Sequence, residues 1–185
     1  MLQSARENIQ KFALGKTVAA AVSGGADSTA LFFLLLGYHN EKKLTLKVLT
    51  VDHGIRKNSA ADAAFVQELC KAHGIECRVS RLNVPQFAVS ARRGIEAEAH
   101  LQRKAVYRAA LEEGFCDLVA TAHHMRDNVE TVLLHLFRGC GLKGLSGMAL
   151  CSDEGLFRPF LYTEKAEIDA YIEAEHIPIR VDETN

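Results

Sequence analysis

Ser23-Gly24-Gly25-Ala26-Asp27-Ser28 follows the apolar run Val18–Val22 and opens onto the helix-like segment Thr29–Leu36. A strand that ends in Ser-Gly-Gly and turns into a helix builds a pocket for phosphate oxygens. The two glycines carry no Cβ and tolerate positive φ, so the backbone can approach a ligand closely. The free N–H groups of the first helical turn point at that ligand, aided by the positive end of the helix dipole. Asp27 is the odd member, because a carboxylate in an anion site repels phosphate. A divalent cation bridging the two resolves the conflict, and Mg²⁺ with a nucleotide is the usual case. The competing reading is a capped strand-to-helix turn, with Asp27 or Ser28 as the cap.

Outward from this loop, strand-like and helix-like segments alternate. Strands are predicted at Val18–Val22, Leu44–Val51, Ile75–Arg81, Leu118–Ala122 and Ile177–Val181. Helices are predicted at Thr29–Tyr38, from Ser59 to His73, and at Gly94–Glu113, Asp127–Phe137 and Glu164–His176. The helix after Ser59 opens on a capping signature and stops at Gly74. Near-continuous apolar strands alternating with helices imply an α/β fold, a mostly parallel sheet with helices on both faces. Ligands of such sheets sit beyond the carboxyl ends of the strands, where the strand order reverses. Ser23, His53 and His123 all follow strand ends.

The spacing excludes two other nucleotide sites. There is neither Gly-x-x-x-x-Gly-Lys-[Ser/Thr] nor Gly-x-Gly-x-x-Gly in the chain. At 185 residues the chain fits one domain, and 22 Lys and Arg against 23 Asp and Glu give a net charge of −1. That balance leaves contact with a nucleic acid to local basic clusters. No apolar run approaches the roughly 20 residues that span a bilayer, and Met1–Lys11 is not signal-like, so a cytoplasmic, membrane-free protein is expected. The five cysteines include no Cys-x-x-Cys, which points to free thiols rather than a zinc knuckle or redox dithiol.

Two further stretches carry candidate chemistry. Asp52-His53-Gly54-Ile55-Arg56 follows the second strand, at the same sheet edge as the glycine loop. His123-His124-Met125-Arg126-Asp127-Asn128-Val129-Glu130 follows the fourth, with Asp127 and Glu130 on one helix face. One reading makes His123, Asp127 and Glu130 metal ligands, though the spacing is not that of a zinc site. A second makes Asp127 a further Mg²⁺ contact and His123 a phosphate donor or proton carrier. A third is a helix start at which Asp127 is favoured by the dipole alone. The glycine-rich loop from Arg138 to Met148 adds Arg138 and Lys143 as candidate phosphate contacts.

The first motif resembles the loop of the N-type ATP pyrophosphatases, Ser-Gly-Gly-x-Asp-Ser. In order, Ser-Gly-Gly-Ala-Asp-Ser, Asp-His-Gly-Ile-Arg, Gly94-Ile95-Glu96-Ala97, Ala-His-His-x-x-Asp-x-x-Glu-Thr, Arg-Gly-x-Gly-x-x-Gly-Leu-x-Gly-Met, Arg158-Pro159-Phe160-Leu161 and Val181-Asp182-Glu183-Thr184-Asn185 resemble the catalytic domain of the tRNA(Ile)-lysidine synthetases. The run from Arg138 is the specific one. The resemblance implies a Rossmann-like fold of the adenine nucleotide alpha hydrolase type, with 1–185 as one PP-loop catalytic domain. It also implies that the C-terminal tRNA-binding region of the family is absent.

By the same resemblance the chain is a ligase that uses ATP and Mg²⁺ to join free L-lysine to C2 of the wobble cytidine of tRNA(Ile) with a CAU anticodon. A homodimer is a candidate assembly. Ser23, Gly24, Gly25, Ala26, Asp27, Ser28 and His53 would bind ATP. Asp27 and Asp127 would hold the metal. Asp27, Arg103, His123, Asp127 and Glu130 would be catalytic, and Arg138 and Lys143 would meet tRNA. The chain departs from the family pattern at His100, where an arginine is usual, and at Lys104, where a tyrosine is usual. Two alternatives stay open: a tRNA-thiolating PP-loop enzyme, which would need paired cysteines, and a non-catalytic nucleotide-binding α/β module.

Overall fold

The computed structural model describes residues 1–52, 54, 59–92, 94–139, 141 and 145–180. Five strands form one sheet: β1 (Thr17–Ala21), β2 (Thr45–Asp52), β3 (Cys77–Arg81), β4 (Leu118–Ala120) and β5 (Leu156–Phe157). All pairings are parallel, in the order β3-β2-β1-β4-β5. The helices are α1 (Gln3–Phe12), α2 (Ala26–Asn40), α3 (Ser59–Ala72), α4 (Val84–Ala91), α5 (Ile95–Glu112), α6 (Met125–Phe137) and α7 (Lys165–Ala174).

The strands alternate side chains between two cores, as the pleat requires. Val18, Ala20, Leu46, Val48, Leu118 and Ala120 belong to a large cluster with residues of α1, α2, α3 and α7. Ala19, Leu49 and Val119 turn to a smaller one, closed by Ala110 of α5 with Phe115 and Cys116. Helix α2 lies inside the large core and is apolar nearly all round, burying residues from Ser28 to Tyr38. The strand order runs outward from β1 in both directions, so β1 and β4 flank the point where the topology reverses.

The expected α/β architecture is present, with three additions and one correction. Helix α1 was not predicted. Its apolar positions Ala5 and Ile9, with Leu2 just before it, are spaced for one buried face but diluted by polar neighbours. Helix α4 starts at an Asn83 cap, whose side chain accepts the Gln86 N–H, followed by Pro85 in the first turn. Strand β5 is two residues long, too short for a sequence pattern. The strand expected at Ile177–Val181 does not form over 177–180, and Val181 lies outside the described residues. Ile177 is used to end α7 instead: its N–H bonds the Ile172 carbonyl at 3.0 Å and the His176 N–H bonds Glu173 at 3.2 Å. With His176 at φ 49°, this is a Schellman stop, which turns the chain away from the sheet.

Candidate active site

The chain leaves β1 with the Val22 N–H bonded to the Leu49 carbonyl at 2.9 Å. It then turns at Gly24, whose φ of +89° is a conformation that side chains disfavour. Gly25 caps α2 in an extended conformation, and no side chain caps the helix, so neither Asp27 nor Ser28 plays that part. The Ser28 hydroxyl folds the loop instead. It donates to the Gly25 carbonyl at 3.0 Å, accepts the Ser23 N–H at 3.2 Å and lies 3.2 Å from the Ser23 hydroxyl. A helix N-terminus with no side-chain cap, behind a loop closed on itself, is suited to an anion.

Above the loop is a cavity of about 490 Å³, within the range of small-ligand sites. Ser23, Gly25, Ala26, Asp27 and Ser28 line it from the β1–α2 side. Thr121, His123 and Asp127 line it from the β4–α6 side, and Arg103 and Tyr107 from α5. Gly24 is buried behind the loop and shapes it without lining the cavity. Glu130 is exposed and outside the lining, and Arg138 is exposed at the C-terminal cap of α6. His53 and Lys143 lie outside the described residues.

His123 rests on the Thr121 hydroxyl, 2.8 Å from its Nδ1. Burial pushes its pKa down to about 4, and nearby Arg158, Arg103 and His100 push the same way against Asp127. The imidazole is therefore neutral near pH 7, and the positive charge on this wall comes from arginine. Tyr107 is raised to about 12, by burial first and against the pull of Arg103, so it stays a neutral phenol. Of the two departures from the family pattern, His100 adds to the field at His123, and Lys104 pairs with Glu154 at 3.0 Å.

Asp127 serves two purposes. Its Oδ2 accepts the His124 N–H at 2.8 Å, ordering the start of α6, while the carboxylate still faces the cavity. The expected helix-start role of Asp127 is present, and the same carboxylate is placed at the cavity. Asn128, next to it, accepts the Met148 N–H at 2.8 Å and so pins the end of the glycine-rich loop. Only glycine fits at 147, because φ is +66° and a Cβ there would collide with Asn128 Oδ1.

Two side chains at the site were missed by sequence reasoning. Lys165, in the first turn of α7, donates to Asp27 Oδ1 at 2.6 Å and to Asp169 Oδ1 at 2.6 Å. Burial alone would lower its pKa, but the two carboxylates more than offset this and the net shift is upward. The buried His124 lies between the two carboxylates, with Nε2 3.8 Å from Asp27 and Nδ1 3.3 Å from Asp127 in a contact not aligned as a hydrogen bond. Only the Lys165–Asp169 spacing was visible in the sequence, and there it reads as an ordinary exposed helix pair.

The donor set fits Mg²⁺. Asp27 and Asp127 offer hard carboxylate oxygens to the same cavity. That suits an ion held by one or two carboxylates and completed by phosphates and water.

A parallel sheet with an uncapped Ser-Gly-Gly loop at its reversal point defines a nucleotide-site α/β domain, and residues 1–185 match the PP-loop domain family over their whole length. The chain belongs to that family. It is 38% identical over 171 residues to a tRNA(Ile)-lysidine synthase of Pseudothermotoga lettingae, covering 92% of this chain and 38% of that protein. It is 41% identical over 153 residues to a tRNA(Ile)-lysidine synthase of Nitratidesulfovibrio vulgaris, covering 82% of this chain and 44% of that protein. The chain thus spans about two fifths of the length of these relatives. The U34-tRNA thiolase NcsA of Methanococcus maripaludis shares the fold, with a TM-score of 0.76 at 22% identity over 97% of this chain and 64% of that one.

Proposed function

We propose that this chain is the catalytic domain of an ATP-dependent tRNA-modifying ligase, which joins free L-lysine to C2 of the wobble cytidine in the CAU anticodon of tRNA(Ile). The observation that carries the reading is the single cavity into which Ser23, Asp27 and Ser28 converge with Arg103, His123 and Asp127 from distant parts of the chain. The names and identities of the relatives support the choice of tRNA and lysine.

In the first step the cytidine O2 attacks the α-phosphorus of ATP, the bond to the β-phosphate oxygen breaks, and pyrophosphate leaves. In the second the lysine ε-amine attacks C2, the C2–O bond breaks, AMP leaves, and the amine loses a proton. The loop from Ser23 to Ser28 cradles the departing pyrophosphate through backbone N–H groups. Arg103 supplies the fixed positive charge that such transfers depend on. His123, neutral and oriented by Thr121, donates a hydrogen bond to a phosphate oxygen. Asp27 and Asp127 would hold Mg²⁺, which when bound would neutralise charge developing on the leaving group. Asp127 and Glu130, one turn apart on α6, are candidates for the metal or for the lysine amine, Glu130 from outside the cavity lining. Arg138 and Lys143 are assigned to the tRNA backbone.

Thiolation is the less favoured chemistry: none of the described cysteines, Cys70, Cys77, Cys116 and Cys151, lines the cavity. The test is pyrophosphate release from Mg-ATP with tRNA(Ile) and lysine added separately and together. The expected result is release that needs tRNA but not lysine, with lysine incorporation following. Equal release without tRNA would overturn the reading.

A further inference from the structure

We propose that Lys165 is the positioning residue of the phosphate loop: its ammonium fixes one carboxylate oxygen of Asp27 so that the other is presented to the cation of a bound nucleotide. This rests on the nucleotide reading of the cavity. Asp27 lines the cavity and Lys165 does not, so the ammonium grips the carboxylate from behind rather than facing the phosphates. It takes Oδ1 and leaves Oδ2, whose neighbour His124 Nε2 is 3.8 Å away, beyond hydrogen-bond range.

The grip is itself held rigid. Lys165 is tied at 2.6 Å to Asp169, one turn along α7, so its side chain is clamped between two carboxylates. Helix α7 buries Ile168, Tyr171 and Ile172 and packs on α2, the helix that carries Asp27. The chain entering α7 is fixed as well, with the Thr163 carbonyl accepting the Met125 N–H at 3.1 Å from the start of α6. A cation-binding carboxylate needs this kind of support, and removing an outer partner typically costs about ten- to hundredfold in metal affinity or activity.

The experiment titrates ATP binding by calorimetry at graded Mg²⁺ in the wild type, Lys165→Met, Lys165→Arg, Asp27→Asn and the Asp27→Asn/Lys165→Met double variant. Lys165→Met is expected to raise the Mg²⁺ concentration for half-maximal binding about tenfold or more. Binding without Mg²⁺ should weaken as well, because Asp27 loses its paired cation, and Lys165→Arg should remain close to wild type. In the Asp27→Asn background, Lys165→Met should have no further effect. An unchanged Mg²⁺ demand in folded Lys165→Met would overturn the proposal. So would a lowered demand, which would make Lys165 a competing counter-ion, or an equal loss in the Asp27→Asn background. Failure of the wild type to bind Mg-ATP at all would overturn the nucleotide reading and this role together, and it shows in the wild type alone.

Discussion

Helices α2 and α6 each follow a strand of the reversal point and each open onto the cavity, yet they are held very differently. Helix α2 buries nine residues, among them Phe32, Leu34 and Leu35, in the large core. Helix α6 buries none, and its Val129, Leu134 and Phe137 are 52%, 52% and 83% exposed. Its start and the loop after it are tied by local polar contacts: Asp127 to the His124 N–H, Thr163 to the Met125 N–H and Asn128 to the Met148 N–H. The contrast divides the cavity into a wall built on the core and a wall built on the surface. Under the proposed function, the phosphate loop belongs to the first, while Glu130 and Arg138 are carried by the second. Triphosphate geometry tolerates little misplacement, whereas a macromolecular substrate is met by a surface that is open locally at low cost.

The largest effect expected on the anchored side is chemical. Asp27→Ala should lower pyrophosphate release by about a thousandfold or more. The fold should stay intact, because the side chain is 31% exposed and leaves Lys165 with Asp169. Circular dichroism and an ATP-dependent pyrophosphate assay check both halves of this statement. Turnover near wild type would remove Asp27 from the site.

Stability should separate the two helices next. Leu35→Ala opens a cavity in the large core along α2, where the side chain is fully buried, and should cost about 3 kcal/mol in urea unfolding. Leu134→Ala, half exposed on α6, should change stability by less than about 0.5 kcal/mol. Similar losses in the two variants would break the comparison.

A smaller effect should sharpen it. Gly147→Ala forces a Cβ onto Asn128 at a positive φ, undoing one of the ties of the surface wall. The expected cost is about 1–2 kcal/mol. It should appear in hydrogen exchange as faster opening of α6 amides, with those of α2 unmoved. Equal acceleration in both helices would show that the two walls open as one unit.

The same division explains what was legible in the sequence. The β1–α2 turn could be read because Val18–Val22, the glycines and the apolar helix are contiguous, so the strand, the loop and its chemistry are local. Alternation of apolar runs likewise gave β2, β3, β4 and the parallel sheet. Lys165 could not be read: its partner Asp27 is 138 positions away, and the contact exists only because α7 packs on α2. Ile177 and Ile179 alternate as a strand would, but a helix stop captured the first of them. His124 was overshadowed by His123, and only burial and the two flanking carboxylates mark it out.

The remaining effect lies at His123, on the seam between the walls, and it depends on pH. Its folded pKa is about 4, against an ordinary value of 6.5, because burial and neighbouring cations disfavour the imidazolium. A depressed pKa contributes stability that is complete above the unfolded value. It is lost as pH falls towards the folded value, since the unfolded chain then binds a proton that the folded chain refuses. The window is therefore about pH 6.5 down to 4. The shift would be worth at most about 3 kcal/mol, and partial exposure of the ring to water brings the expected loss nearer 1–2 kcal/mol. Carboxylates also titrate near its lower end, so the quantity to measure is the difference between wild type and His123→Gln in urea unfolding at pH 7 and pH 4.5. The variant should lose less stability than the wild type over that interval. Mg-free ATP should narrow the gap between them, because phosphate charge beside the ring favours its protonated form. Identical pH dependence in the two proteins would show that His123 is not the group held neutral between the walls.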